Sequence, residues 1–258
     1  RTVSKFPGIP PLTEPIGKDE RNYFWNVAMI EHLYEYADQS EVKFDTIVLD
    51  ELQDFNDEWM GIIEKLLVDE TSKILCVADP NQDLYERGFF MPDGGSPWAL
   101  AELQINCRNT REIASFVRQF GGGLSASASP EGEPIKFVPV VDTTSMLEAV
   151  LAEIRNSLNP EKLNESDIVV ITGIAAERDL FYNMTPTDFS FGRWEDRTDT
   201  LIACETAKRA KGIEANVVIL ATLNQDIRNN EMYVGASRAR SRLVIVGPES
   251  FAERFRIS

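Results

Sequence analysis

A short apolar run that ends in two adjacent acids constrains this chain more than any other feature. Ile47, Val48 and Leu49 are followed directly by Asp50 and Glu51. Apolar runs of this length, bounded by polar residues, are typical of buried strands in a parallel sheet. Ligands of open α/β sheets bind beyond the carboxyl ends of the strands, where both acids are expected. One acid can hold Mg²⁺ there while the other activates a water; a solvated acidic turn is the alternative.

A second apolar run ends in the same kind of polar turn. Residues 73–78 are followed by Asp79-Pro-Asn-Gln-Asp-Leu-Tyr85, and a helical pattern separates them from the first run. Strand, helix and strand with acids at both strand ends predict a βαβ unit that faces one crevice. Gln82 either contacts a nucleotide phosphate or satisfies backbone groups of its loop. Tyr85 and Arg87 belong to a segment that either stacks on unpaired bases or packs on its own domain.

Helical and strand-like patterns continue to alternate along the rest of the chain, so the predicted fold class is α/β. A segment rich in Gly, Pro and Ser at residues 92–97 marks a boundary between residues 1–98 and residues 99–258. The predicted helices cover residues 22–39, 146–158 and 230–240, and the predicted strands cover residues 102–107, 135–141, 167–172 and 243–247, with two more inside 201–222.

Charge limits the partners that the whole surface can bind. The formal net charge of −16 argues against a protein whose entire surface grips nucleic acid, although a local basic groove remains compatible with it. Lys208, Arg209 and Lys211 form one of the few cationic clusters, in a turn between two strand-like runs.

Cysteine and histidine usage argues against a zinc site. The three cysteines lie far apart, and the single histidine, His32, has no Cys or His near it in sequence. Cys76 and Cys204 fall in apolar runs, which predicts buried free thiols in a reducing compartment. No run is apolar for long enough to span a bilayer, so the expectation is a soluble, cytoplasmic protein that binds no membrane.

Five segments, taken in order, resemble the motifs of superfamily 1 helicases of the UvrD/Rep type. Two departures stand out: Ala78 precedes Asp79 where the family usually has Gly, and Lys208 stands where the family commonly has His. The segments are Asp50-Glu-Leu-Gln-Asp-Phe55 (family pattern DExQDF), Asp79-Pro-Asn-Gln-Asp-Leu-Tyr85 (GDxxQxIY), Asn106-Cys-Arg-Asn-Thr110 (NYRST), Thr206-Ala-Lys-Arg-Ala-Lys-Gly-Ile-Glu214 (TxHxxKGLE) and Tyr233-Val-Gly-Ala-Ser-Arg-Ala-Arg240 (YVALTRAR).

The resemblance implies a role for each matched residue. Glu51 would act as the base for water, and Gln82 would sense the γ-phosphate. Arg108 and Arg238 would be arginine fingers, although Arg108 read alone is equally an ordinary surface arginine. Grouped by role, the residues are Glu51, Gln82, Arg108 and Arg238 for catalysis, Asp50 for the metal, Asp50, Gly212 and Glu214 for the nucleotide, and Tyr85, Arg87, Lys208 and Arg209 for nucleic acid.

The resemblance also implies a fold and an activity. Residues 1–98 would be part of a first RecA-like domain, with a parallel sheet and flanking helices, and residues 99–258 a second RecA-like domain. The activity would be that of an ATP-dependent DNA helicase or translocase that moves on single-stranded DNA, and duplex DNA is a further candidate partner. ATP and Mg²⁺ would be its cofactors.

One part of the family pattern is absent from these 258 residues. They contain no G-x-x-x-x-G-K-[ST] loop, which the family carries upstream of the DExQDF motif. The expectation is therefore the C-terminal portion of a longer helicase, whose N-terminal part is missing here and which hydrolyses little or no ATP alone.

Two other classes of function remain open. One is a degenerate NTPase fold that serves as a non-hydrolysing binding or regulatory module. The other is a metal-dependent nuclease that uses Asp50, Glu51 and Asp54, in which Gln82 and the two arginines would have no role.

Overall fold

The chain divides into two compact units, the first ending at Leu100 and the second beginning at Ala101. The boundary predicted from the sequence lies between residues 98 and 99. Arg87, predicted to contact nucleic acid, lies outside the described residues. The computed structural model describes residues 17–55, 57–86, 88–89, 91–92, 94–95, 97–121, 125–161, 163–185 and 187–257.

The first unit is built on two parallel strands joined through a helix. Strand β1 pairs with β2 in parallel register, Thr46 opposite Lys73 and Leu49 opposite Cys76. Its elements are α1 (Lys18–Tyr23), a π-helical turn (Phe24–Ala28), α2 (Met29–Gln39), β1 (Thr46–Leu49), a 3₁₀ turn (Leu52–Asp54), α3 (Asp57–Glu64), β2 (Lys73–Cys76) and a second 3₁₀ turn (Pro80–Gln82).

One face of this small sheet is packed and the other is open within the described part of the chain. Leu49 packs with Leu52, Met60 and Ile63, whereas Val48 is 61% exposed. Successive strand residues point to opposite faces, so β1 alternates between the two environments. The prediction of a parallel strand is confirmed, and the prediction of a continuously buried one is wrong for β1.

The second unit is an α/β domain around a larger parallel sheet. Six strands lie in the order β3-β8-β7-β4-β6-β5, and every pair is parallel. The predicted α/β fold class, with parallel sheets and flanking helices, is confirmed. The elements are α4 (Arg111–Arg118), β3 (Lys136–Pro139), α5 (Thr143–Glu161), β4 (Ile168–Thr172), α6 (Ala175–Tyr182), β5 (Ser190–Gly192), β6 (Leu201–Thr206), β7 (Ala215–Ala221), α7 (Asn229–Ser237), β8 (Ala239–Gly247) and α8 (Ser250–Arg254).

Helices cover both faces of the six-stranded sheet. Ile168 and Val170 of β4 belong to a core cluster that includes residues of α5 and α6. Leu220 and Ile171, on the opposite face, lie close to α7, where a Cβ added to Gly235 would come within 2.7 Å of Leu220. All five residues of β4 are therefore buried, which explains the four consecutive Val and Ile residues with which it begins.

The strand predicted at residues 102–107 is not formed. Ile105 makes a single parallel bridge with Ser125, and Leu103 is 86% exposed. Its apolar residues have no packed sheet face to enter, so spacing alone does not produce a strand there. Helix α4 begins at Arg111, directly after Thr110.

The cysteines and the membrane prediction can be compared directly with the structure. Cys204 is buried, Cys76 is partly buried and Cys107 is exposed, so the prediction of a buried thiol is confirmed for Cys204 and is only approximate for Cys76. Within the described ranges, no helix combines the length and the apolar character that crossing a membrane requires.

Candidate functional sites in the two units

In the first unit, the turns that follow β1 and β2 lie side by side. The backbone pairing continues past the strands: Val77 N donates to the Leu49 carbonyl at 2.8 Å, and Leu52 N donates to the Val77 carbonyl at 2.9 Å. Asp50 and Glu51 therefore sit beside the turn that begins at Asp79. This is the edge of a parallel sheet where ligands bind.

Gln53 connects the two turns through hydrogen bonds of its buried side chain. Its Nε2 donates to Oε2 of Glu51 at 2.6 Å, and its Oε1 accepts from the Asp79 amide at 3.0 Å. Asp79 in turn accepts a bond from Nε2 of Gln82 at 2.9 Å. A chain of hydrogen bonds thus joins the predicted base, Glu51, to the predicted sensor, Gln82.

Gln53 has a structural role that sequence reasoning missed. Its two partners fix the orientation of its amide, because a carboxylate can only accept and a backbone amide can only donate. In the sequence, Gln53 matches the glutamine of the family pattern DExQDF, but this match does not indicate which groups its side chain bonds.

The backbone at Glu51 is held in an unusual conformation. Its φ angle of 56° lies in the left-handed region, which costs a residue with a side chain about 1 kcal/mol. The Glu51 amide donates to Oδ1 of Asp50 at 2.9 Å, and the Gln53 bond holds the other end of the residue. Such conformations concentrate at functional sites, where surrounding contacts maintain them.

Asp50 has the character expected of a Mg²⁺ ligand that works together with a nucleotide. It is exposed at the end of β1, and Mg²⁺ takes one or two carboxylates while phosphates and waters complete its shell. Among the described residues, no three His, Cys, Asp or Glu side chains are grouped so as to hold a metal alone. The single carboxylate of Asp50 therefore fits a Mg²⁺ ion whose other ligands are phosphate oxygens of a nucleotide and waters.

In the second unit, Glu214 lies between two arginines. Its Oε1 is 2.6 Å from Nε of Arg108, and its Oε2 is 4.0 Å from Nε of Arg240. Both arginine side chains are about half exposed. The carboxylate predicted to lie near the ribose is therefore an ion-pair partner of the first predicted arginine finger.

Asn109 fastens the Arg108 loop to the backbone around Arg238. Its buried Nδ2 donates to the Ser237 carbonyl at 3.0 Å and to the Ala239 carbonyl at 2.6 Å. These carbonyls belong to the residues immediately before and after Arg238. The family pattern has Ser at the position of Asn109, so the resemblance gave no reason to expect this contact.

Arg238 is held inside the second unit, with 2% of its surface exposed. Its Nε donates to the Val234 carbonyl at 3.0 Å, and one terminal nitrogen donates to Oγ of Ser237 at 2.9 Å. Both acceptors belong to the last turn of α7, where a cation is also favoured by the helix dipole. Its role as a second arginine finger stays a prediction.

The basic turn between β6 and β7 is tied to acids of the same unit. The Arg209 guanidinium contacts Glu205 at 2.8 Å and Glu195 at 3.0 Å, and the hydrogen bond that it donates to Glu205 is the main cause that raises the pKa of Arg209. Lys208 lies 3.8 Å from Glu231, and its side chain is half exposed. The Arg209 side chain is exposed to nearly the same extent, so Lys208 differs from it mainly in the greater length of its ion pair.

Gly212 and Tyr85 occupy positions that suit their predicted roles without testing them. Gly212 has a φ angle of 79°, in the region that glycine adopts without steric cost, and it turns the chain toward Glu214. Tyr85 is 45% exposed in the turn after β2.

Comparisons with known proteins gave matches among solved structures only. No family model matches the chain, and no curated protein matches it. The C-terminal domain of a possible DNA helicase from Lactobacillus plantarum is similar, with 18% identity and a TM-score of 0.43, over 55% of this chain and 88% of that domain.

Two structures of arterivirus nonstructural protein 10, a helicase, are also similar. One has 17% identity and a TM-score of 0.45 over 84% of this chain and 43% of that one. The other, in complex with DNA, has 16% identity and a TM-score of 0.43 over 84% of this chain and 42% of that one. The chain therefore spans less than half the length of these helicases. At such values the likenesses concern the arrangement of strands and helices and assign no function to any residue.

Proposed function

We propose that this chain forms nucleotide-hydrolysing and DNA-binding parts of an ATP-dependent DNA helicase or translocase of superfamily 1. The observation that carries the proposal is the hydrogen-bonded chain from Glu51 through Gln53 and Asp79 to Gln82, at the carboxyl ends of two parallel strands. Glu51, as a base for water, and the amide of Gln82, as a group that can contact a phosphate, are thereby held at fixed positions relative to each other.

The arginine loop of the second unit supplies the complementary support. Phosphoryl transfer proceeds mainly by positioning and by neutralising the charge on the transferred group. Asn109 holds the Arg108 loop against the backbone on both sides of Arg238, and the resemblance gives both arginines the role of arginine fingers. Bound Mg²⁺, held by Asp50, would neutralise charge on the phosphates.

In this proposal, Glu51 orients the attacking water and accepts its proton, while Gln82 contacts the γ-phosphate. Gln53 would transmit a shift of Gln82 to Glu51, since each is bonded to the same short network. Glu214 would position the guanidinium of Arg108 through their ion pair at 2.6 Å. Movement along single-stranded DNA would follow from repeated ATP binding and hydrolysis.

The test is Mg²⁺-dependent ATP hydrolysis by the protein expressed from its complete gene, with and without single-stranded DNA. We expect DNA to stimulate turnover and Glu51→Gln to reduce it by at least about 100-fold, in keeping with the contribution of a positioned general base. Glu64→Gln, an exposed acid at the end of α3, is the matched control and should leave turnover unchanged.

Three results would contradict the proposal. They are the absence of turnover with DNA present, turnover that Glu51→Gln leaves intact, and cleavage of DNA with Mg²⁺ but without ATP. Nucleotide binding without turnover would instead indicate the non-hydrolysing binding module.

A further inference from the structure

Two surface turns of the second unit meet at one buried carboxylate. Glu205, at the end of β6, is 1% exposed. Its Oε1 accepts from the Trp194 amide at 3.2 Å, and its Oε2 accepts from Nε of Arg209 at 2.8 Å. The turn that contains Trp194 and the basic turn that contains Lys208 and Arg209 are therefore joined into one surface beyond the carboxyl ends of β5 and β6.

An aromatic ring and a guanidinium are stacked on this surface. The guanidinium carbon of Arg197 lies 3.9 Å from the centroid of the Trp194 ring, which is a close cation–π contact. Arg193 and Arg197 are both exposed, and neither forms an ion pair with another described residue.

Arg209 differs from these two arginines. It bridges Glu205 and Glu195, and so it joins the basic turn to the Trp194 turn and also neutralises Glu195. Breaking these ion pairs would leave the buried carboxylate of Glu205 without its cation, which costs free energy. Arg209 therefore acts as a support, and the exposed cation in contact with the ring is Arg197.

We propose that Trp194 and Arg197, with the exposed Arg193 preceding the ring in sequence, form a stacking platform for an unpaired base of single-stranded DNA. Aromatic rings combined with arginines are a general means of binding single strands, because every base has a face that can stack. The cations beside the ring contact phosphates of the same strand. The inference rests on the proposed function and adds to it a specific contact, on a turn outside the segments of resemblance.

The test measures binding of a fluorescently labelled oligo(dT) to the protein expressed from its complete gene, by fluorescence anisotropy. Trp194→Ala should weaken binding roughly 5- to 150-fold, the range expected for the loss of one stacked base. Trp194→Phe keeps a ring and should recover most of the affinity. Arg197→Gln should weaken binding and make it less sensitive to salt, because one cation fewer meets a phosphate.

The first unit offers a matched control. Lys65 lies 4.2 Å from the centroid of the exposed Tyr34 ring, which forms a similar cation–π pair. Tyr34→Ala should leave the affinity unchanged. Urea unfolding of each variant separates loss of binding from loss of folding, and Trp194→Phe and Arg197→Gln still test the platform if Trp194→Ala does not fold.

The outcomes distinguish this inference from the proposed function. If the unmodified protein does not bind oligo(dT), both are wrong. If it binds, and Trp194→Ala and Arg197→Gln bind as tightly, the platform is wrong and the proposed function is unaffected. If Tyr34→Ala weakens binding of oligo(dT) as much as Trp194→Ala does, the platform is also wrong.

Discussion

The side-chain amide of Gln53 donates a hydrogen bond to the carboxylate of Glu51, with 2.6 Å between nitrogen and oxygen. The same amide accepts a hydrogen bond from the Asp79 backbone, although 26 residues separate the two in sequence. Because the Gln53 side chain is fully buried, a replacement that leaves its partners without these bonds is costly. Gln53 thereby fixes the position of Glu51 relative to the turn after β2.

Gln53→Glu should destabilise the protein in a manner that depends on pH. The introduced carboxylate would be buried and would face that of Glu51, and both effects raise the pKa of the introduced group above its unfolded value. The deficit should therefore be largest at neutral pH, about 2–3 kcal/mol, and should shrink as the pH falls toward about 4.3 and the introduced group takes up a proton. Urea unfolding of both proteins at pH 7.5 and at pH 5 measures this difference.

Gln53→Met is the control for that experiment. It has a similar volume and no charge, so its deficit should be similar at both pH values. If the stability deficits of Gln53→Glu and Gln53→Met depend on pH in the same way, the introduced carboxylate does not contact that of Glu51.

Asn109→Ala should destabilise the second unit by roughly 2–3 kcal/mol, because it leaves two buried carbonyls without their donor. Asn183→Ala removes a single exposed bond to the Asp179 carbonyl and should cost under about 1 kcal/mol. The free energy of unfolding in urea distinguishes them. Equal costs would mean that the bonds flanking Arg238 add nothing to stability.

The sequence predicted those parts of the fold in which local pattern and final environment agree. The Val and Ile run of β4 predicts a strand buried on both faces, as the structure has it, whereas the similar run of β1 packs on one face only. The apolar residues near Leu103 have the same spacing as a strand, but the structure provides no sheet for them. Pattern does not specify which partner an apolar face will meet.

The contacts that position the candidate sites were not predictable, because they join distant segments. Asn109 reaches carbonyls 128 and 130 residues away, and no local pattern indicates such acceptors. The pair of Glu205 and Arg209 is different, since four residues separate them and the charges could have been matched from sequence. The Trp194 turn mixes acids with arginines in sequence, so its charge pattern alone indicates no role.

The three thiols should react at very different rates with an aromatic disulfide reagent whose reaction is followed by absorbance. Cys107 is exposed, while burial raises the pKa of Cys76 and raises that of Cys204 well above its usual range. Since the thiolate is the reactive form, Cys107 should react first, Cys76 more slowly, and Cys204 only after unfolding. Cys107→Ser should remove the fast phase alone. A fast phase that survives this substitution would contradict the assignment.

Tyr182 should stay protonated well above the pH at which an unfolded tyrosine ionises. Burial is the main cause that raises the pKa of Tyr182 to about 12, and the negative charge of Glu205 adds to it. Its hydroxyl donates to the Cys204 carbonyl at 2.6 Å, a bond that the phenolate could not make. The raised pKa favours the folded state fully below about pH 10, and this contribution is lost as the pH rises through 10 to about 12.

Absorbance at the phenolate band, followed from pH 9 to pH 13, measures this ionisation. Tyr182→Phe should remove the transition near pH 12 and should make unfolding less dependent on pH between 10 and 12. It should also cost about 1 kcal/mol at pH 8, where the hydroxyl still donates its hydrogen bond. Tyr34→Phe, an exposed position, is the control and should leave the transition near pH 12 in place. If the transition near pH 12 persists in Tyr182→Phe, the hydroxyl of Tyr182 is not held by β6 as the structure indicates.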